Sequence, residues 1–477
     1  MNTIRIRVLH DVPPRADGDL VLYWMTAARR TTHNFALQRA VAIARQVQRP
    51  LLVLEALRVA YPHASERLHR FVIDGMADNG ARCDAAGVAY HPYVEPLAGA
   101  GRGLLATLAN RACAVVTDDF PAFFLPRMLA AAVPQIPCRF EAVDGNGLLP
   151  LDVPERAYPT AYAFRRFLQA RLPAWIADAP DPDPLQGAAL PRLGPLPATF
   201  LERWPAAVPG LDLGRLPIDH TVAPTALRGG EQAGRACLQR FVAQRLARYD
   251  LDRDDPDLDA SSGLSPYLHF GHVSTHEILA AVAPGWSAPP TGRRPDGTRA
   301  GWWGLPPARE AFLDQVVTWR ELGANNCRHR DDAESYDGLP PWARATLERH
   351  ATDPRPNLYA LDELDAARTH DPLWNAAQRQ LVREGRIHTY LRMLWGKKIL
   401  EWSPTPRDAF DRMVHLNDRY ALDGRDPNSY SGIAWCLGRH DRPWGPERPI
   451  FGTVRYMTSE NTARKLHVRE YLRRHGP

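Results

Sequence analysis

Residues 19–57 read DLVLYWMTAARRTTHNFALQRAVAIARQVQRPLLVLEAL. The segment opens on an apolar run at 19–25 and closes on another at 50–57, with an amphipathic stretch at 35–48 between them. Each run has the length of a strand, and the middle stretch has the length and spacing of a helix. A strand, a crossover helix and a second strand make a parallel pair. The alternation continues through an amphipathic stretch at 65–81 and apolar runs at 88–94, 114–117 and 138–143. Residues 1–178 are therefore expected to form an α/β domain with a Rossmann-like parallel sheet. Ligands of such sheets gather at the carboxyl ends of the strands, where Thr117, Asp118 and Asp119 fall. The GAGRG at 99–103 is not a GxGxxG and follows no clear strand, so it reads as a flexible loop.

Outward from this domain, a helix is expected at 161–178. The Pro- and Gly-rich APDPDPLQGAALPRLGPLP then opens an interdomain linker at 179–224. From 225 to 477 the pattern changes. Helical stretches recur at 229–247, 307–326, 341–350, 371–384, 389–402 and 406–417, with no convincing strand, so this part is expected to be an all-α domain.

The 477 residues carry a formal net charge of +5 with 45% hydrophobic content, a globular rather than a disordered profile. No run approaches the roughly 18 apolar residues of a membrane helix, and the N-terminus lacks a signal-peptide core. Six scattered cysteines include no CxxC, which argues against a disulfide scaffold or a zinc ribbon and for a reducing cytoplasm. Of 59 basic residues, 56 are Arg, so arginine richness alone is uninformative. Its distribution says more. From Arg439 onward nine Lys/Arg face four Asp/Glu, an excess of five that equals the charge of the whole chain. This region is either a phosphate-binding surface or a solvated face.

Three patterns could carry chemistry. SSGLSPYLHFG (261–271) places small and hydroxyl residues ahead of a helix, as an ordinary cap and loop or as a phosphate site. Trp374, Trp395 and Trp402 lie close in sequence. The last two are seven residues apart on one helix face, as core packing or as an electron-hopping series. The polar stretch 417–428, NDRYALDGRDPN, is a loop of Asx turns or a cluster converging on a polar ring. His276–Glu277 and His388 are isolated and make no metal motif.

In order, SSGLSPYLHFGHVS (261–274), THDPLWNAAQ (369–378), RMLWGKKILEW (392–402), HLNDRYALDGRDPNSY (415–430) and ERPIFGTVRYM (447–457) resemble the photolyase/cryptochrome family. The likeness is greatest to its class II cyclobutane-pyrimidine-dimer branch. It is strong over 242–466 and looser before 180. It implies the same division into an antenna-type α/β domain and a helical FAD domain, in a monomer. By the resemblance, Tyr249, Ser262, Gly263, Leu264 and Ser265 hold the ribityl–pyrophosphate part of FAD. Arg392 and Asp423 pair beside the isoalloxazine, and Asn417 faces flavin N5. Arg320, Asn325 and Asp426 are further cofactor contacts. Trp395, Trp374 and Trp402 become an electron path in that order, with Trp402 at the surface and Tyr359 assisting. The implied reaction is electron donation from light-excited reduced FAD to a cyclobutane dimer flipped out of UV-damaged DNA. Trp319 and Trp435 would wall the lesion, Met393 and Tyr390 would line its pocket, and Arg439, Arg442, Arg448 and Arg455 would meet phosphates. A deazaflavin-type antenna chromophore in the first domain is a further expectation, with Asn34 and Asp118 as candidates.

One departure matters. Gln315 stands where repair enzymes of the family usually carry a Glu that can donate to the dimer radical anion. Asp314, one residue earlier, points about 100° away on an ideal helix. Asn326 also replaces the usual aromatic beside Asn325. Gln315 favours the alternative of a cryptochrome-like flavin photoreceptor with little or no repair. The Trp pair and the basic C-terminal region favour repair.

Overall fold

Six strands form one sheet in the computed structural model, which describes residues 1–477: β1 (Ile6–His10), β2 (Leu20–Met25), β3 (Leu51–Leu57), β4 (Ala89–Val94), β5 (Ala112–Asp119) and β6 (Arg139–Asp144). Their order is β1-β6-β5-β2-β3-β4, with β1 antiparallel to β6 and every other pair parallel. Strand β2 lies inside the sheet, so both of its faces must be apolar. Leu20, Leu22 and Trp24 pack on one side with Leu52, Leu54, Val115 and Phe140. Val21, Tyr23 and Met25 pack on the other with Val53, Val116 and the helix α1 (Phe35–Val47). The helices α2 (Glu66–Ala85), α3 (Leu104–Arg111) and α4 (Leu125–Ala132) complete the alternation.

Strand β1 was absent from the sequence reading. It is short, half-exposed and without alternation, so it sends no period-2 signal. What fixes it at the edge is polar: Arg7 clasps Asp119 at the end of β5 through Nε (2.9 Å) and Nη2 (2.8 Å).

The chain separates into two compact units. The first comprises Met1–Val153, Leu172–Gln239 and Leu264–Ser287, and the second Pro154–Arg171, Arg240–Gly263 and Ala288–Pro477. The Pro-rich stretch at 179–224 packs within the first unit. Leu185 and Ala188 join one face of the sheet core, and Phe200 and Trp204 join the other. The helix α5 (Ala161–Arg171) falls in the second unit.

The second unit is helical: α6 (Pro307–Leu313), a π-helical turn (Asp314–Trp319), α7 (Arg320–His329), α8 (Pro372–Glu384), α9 (Thr389–Trp402), α10 (Pro406–Tyr420) and α11 (Pro427–Cys436). Three of these starts share one device. Asp371, Thr405 and Asp426 accept a bond from a backbone N–H of the first turn, and Pro follows at the first helical position. The cap satisfies an orphan donor, and Pro needs no acceptor there. The 417–428 stretch is accordingly not a loop throughout: α10 runs on to Tyr420, and Asp426-Pro427 starts α11. No helix is long and apolar enough to cross a membrane, and no disulfide joins any of the six cysteines.

Helices α7 and α11 meet backbone to backbone at Gly323. A Cβ there would lie 2.9 Å from Asn428 N and Cα and from Pro427 O. Gly323→Ala must therefore push the helices apart, at about 1–3 kcal/mol. A lower denaturation midpoint, with a changed near-ultraviolet dichroism of the tryptophans at the ends of these helices, is the expected result.

Candidate functional site

The tryptophans of α8 and α9 interlock. The Trp374 indole N–H donates to the Trp395 carbonyl (3.0 Å), and the Trp395 indole N–H donates to Gln378 Oε1 (2.9 Å). The Trp374 and Trp402 rings meet edge-on at 5.5 Å. All three indoles are at most 2% exposed. The expectation of Trp402 at the surface is thus overturned: it is 1% exposed, because the chain before α8 lies over it. Tyr359 and His370 cover its ring at 5.4 and 5.3 Å.

At the end of α10 a buried polar network forms around Asp418. Its carboxylate accepts from Asn417 Nδ2 (3.2 Å), the Arg425 backbone N–H (2.9 Å) and the Tyr430 hydroxyl (3.0 Å). Burial and the neighbouring carboxylate push the Tyr430 hydroxyl far above the usual phenol range. Asn417 Nδ2 also donates to Ser429 Oγ (2.7 Å). A carboxylate only accepts, so Asp418 dictates which end of the Asn417 amide is nitrogen and leaves Oδ1 to point elsewhere. Arg392 on α9 forms an ion pair with Asp423, Nη2 lying 3.0 and 3.2 Å from the two carboxylate oxygens.

Trp319, at the end of the π turn, and Trp435, on α11, stack at 4.5 Å with planes 19° apart. Met393 on α9 approaches α11 through its sulfur, 3.9 Å from Cys436 Sγ. Tyr390 lies a turn earlier on α9, half-buried. Lys397 is buried and donates to the Cys436 carbonyl at the end of α11, where a cation suits the helix dipole. Gln315 is half-buried on the same π turn as Trp319. Asp314 is not a substitute for it. Its carboxylate is clasped by Arg165 of α5 through Nε (2.7 Å) and Nη2 (3.1 Å), and both residues are buried. The π turn itself, a feature frequent at functional sites, was not legible: 307–326 was expected as one regular helix.

The remaining candidates are spread. Tyr249 is buried edge-on against Phe241 (5.6 Å) and Phe312 (5.3 Å). Ser262 and Gly263 belong to the second unit, and Leu264 and Ser265 to the first. Asp426 caps α11, and Arg320 opens α7. Asn325 has both ends of its amide engaged, accepting from Tyr158 N (3.0 Å) and donating to the Arg156 carbonyl (2.9 Å). Asn326 is buried beside it.

The basic C-terminal segment divides. Arg442, Arg448 and Arg455 are exposed. Arg442 and Arg455 lie over the Trp444 ring at 5.0 and 5.1 Å, and Arg448 lies over Tyr456 at 5.2 Å. Trp444, 38% exposed, was not singled out in the sequence. Arg439 corrects the expectation of a phosphate contact. It is 3% exposed, and none of its guanidinium nitrogens has a hydrogen-bond partner. Burial and Arg330 hold it down to about 10. Gly438, at φ +107°, turns the chain so that Arg439 N–H closes back on Ala434 O (3.1 Å).

In the first unit, Asn34 and Asp118 are consumed by the loop after β2. Asp118 accepts from the Tyr23 hydroxyl (2.8 Å) and from the backbone N–H groups of Thr26, Ala27 and Ala28. Asn34 donates to Tyr23 Oη and to the Ala28 and Arg30 carbonyls while capping α1. These bonds shape that loop.

No protein-family profile matches the chain. A deoxyribodipyrimidine photo-lyase from Methanothermobacter thermautotrophicus is 33% identical over 471 residues, spanning 98% of this chain and 97% of that protein. One from Potorous tridactylus is 32% identical over 484 residues, spanning 100% of this chain and 85% of its own. One from Oryza sativa is 32% identical over 493 residues, spanning 98% and 89%. Among solved structures, a bacterial class III photolyase from Agrobacterium tumefaciens superposes with a TM-score of 0.69, covering 96% of this chain and 86% of that one. At 17% identity this last likeness is one of fold.

Proposed function

We propose, for a chain that belongs to the deoxyribodipyrimidine photo-lyase family, that it splits cyclobutane pyrimidine dimers in UV-damaged DNA under light, using residues of its second unit. The observation that carries this reading is the stacked Trp319–Trp435 pair, with Met393 against α11 and with Arg392, on the same α9 helix as Met393, paired to Asp423. A flipped dinucleotide offers flat apolar faces, and its extrusion costs least when the base is already damaged. Indole walls match such faces.

The residues fit a flavin. Asn417 is buried with its carbonyl oxygen left over by the Asp418 network, and an amide oxygen suits a ring N–H. Arg392 and Asp423 would hold the ring edge between opposite charges, with Tyr249, Ser262 and Gly263 of the same unit toward the phosphates. When bound, FAD supplies light absorption and, in its reduced form, an electron for the dimer. The protein's part is to position, to keep water out and to present hydrogen-bond donors. Gln315 would donate an amide N–H to a dimer carbonyl but has no proton to transfer.

The test is direct. Purified protein, reduced under light, is mixed with an oligonucleotide carrying one thymine dimer and illuminated with blue light. The expected result is recovery of the thymine ultraviolet absorbance, with a higher yield from Gln315→Glu. If neither protein repairs while the bound flavin photoreduces normally, the reading passes to a flavin photoreceptor, which Gln315 favours.

The exposed arginines of the C-terminal segment would meet DNA phosphates. Arg442→Ala should lower affinity across all sequences and reduce the slope of log affinity against log salt by about 1. An unchanged slope in a salt titration would move the interface away from this segment.

A further inference from the structure

Tyr359, which the resemblance places beside the electron path, is paired with His370, which that path does not use. The Tyr359 oxygen accepts from the His370 backbone N–H (3.0 Å) and lies 2.6 Å from His370 Nδ1. The phenol oxygen keeps a second lone pair, so the 2.6 Å contact holds one proton that either partner can carry. In the tautomer with Nδ1 unprotonated, the hydroxyl donates to Nδ1 and the ring proton sits on Nε2. His370 is exposed, so Nε2–H can reach water, whereas Tyr359 is half-buried. The rings stack at 6.0 Å, and both lie against the buried Trp402 at 5.4 and 5.3 Å. Tyr359 N–H also donates to the Trp402 carbonyl (3.3 Å), which holds the two residues in register.

From this geometry we propose that His370 is the proton acceptor that lets Tyr359 end the tryptophan path as a neutral radical. The proposal rests on the reading of Trp395, Trp374 and Trp402 as an electron path. Trp395 would give up the first electron, the oxidant being supplied by an oxidised, photoexcited flavin when one is bound. The resulting hole passes through Trp374 to Trp402. The Trp402 radical cation then takes one electron from Tyr359, and the Tyr359 O–H bond breaks with its proton passing to His370 Nδ1. The products are neutral Trp402, a neutral phenoxyl radical and an imidazolium, which releases its Nε2 proton to water. Without an acceptor, oxidation would leave a protonated phenol cation, a far higher-energy species. The pair therefore separates charge at the solvent edge and slows return of the electron to Trp402.

The test is flash spectroscopy of the FAD-loaded protein with its flavin oxidised. The wild type should show a tryptophan radical decaying into a tyrosyl radical, more slowly in deuterium oxide. Tyr359→Phe and His370→Ala should each lose the tyrosyl signal and lengthen the life of the tryptophan radical. Added imidazole should restore the tyrosyl signal to His370→Ala but not to Tyr359→Phe, a rescue that a packing role would not give. A tyrosyl radical forming in His370→Ala at the wild-type rate and isotope effect overturns the proposal. A wild type that forms the tryptophan radical but no tyrosyl radical overturns it as well. If no tryptophan radical forms in the wild type, the electron path itself fails, and the role of His370 falls with it.

Discussion

Trp374→Phe is expected to cut light-driven reduction of bound FAD by ~10-fold or more, with the fold intact. In the proposed electron path Trp374 is the middle member. Its indole N–H is bonded to the Trp395 carbonyl and its ring meets Trp402. Phenylalanine keeps an aromatic ring at the position but is much harder to oxidise than indole. A barrier raised by only 1.36 kcal/mol already slows a step tenfold. The residue is also fully buried, so the smaller ring leaves a cavity, and thermal melting must accompany the kinetics. The measurement is the rate of flavin bleaching under blue light with an external reductant. Trp395→Phe should behave alike, because it removes the first donor of the proposed path. Equal rates in wild type and Trp374→Phe would show that electrons reach the flavin by another route.

The parts of this molecule that could be read in advance are those where a repeated side-chain pattern and the fold coincide. Strands β2, β3 and β5 were legible because sheet strands buried on both faces are continuous apolar runs. Helix α8 was legible because its apolar periodicity has clear ends at Asp371 and Gly385, whereas α9 is buried nearly all round and was legible by its length and composition. The seven-residue spacing put Trp395 and Trp402 on one helix face. It could not show that the segment carrying Tyr359 and His370 lies over Trp402, since that contact joins residues more than thirty apart in the chain. Arg439 misled for a similar reason. A count of charges along the chain does not know that Gly438 turns the next side chain inward. Asp426-Pro427 was ambiguous in principle, since Asp-Pro begins turns and helices alike. The π turn at Asp314–Trp319 leaves no sequence mark, because one additional residue per turn hardly alters an apolar pattern.

The largest stability effect is expected at Asp418, which no motif reading singled out. Asp418→Ala should lower the free energy of unfolding by about 3–5 kcal/mol, the cost of stripping a partner from a buried charged network. Three donors lose their acceptor at once: the Asn417 amide, the Arg425 backbone N–H and the Tyr430 hydroxyl. Arg425, only 2% exposed, would also keep its charge with no carboxylate in that network, held by the carbonyls of Asp418, Ala421 and Leu422. Asn417→Ala removes a donor rather than the shared acceptor, so it should cost far less stability while changing the flavin's redox behaviour. Asp418→Asn separates the two effects. It keeps the shape and most of the stability, but its own amide can donate, so Asn417 loses the only partner that fixes which way its amide faces. Urea midpoints should therefore rank wild type, Asp418→Asn and Asp418→Ala in falling order, while Asp418→Asn and Asn417→Ala share the altered flavin titration. If Asp418→Asn keeps the wild-type flavin titration, the orientation of Asn417 is set by Ser429 and the helix alone, and Asp418 is structural only.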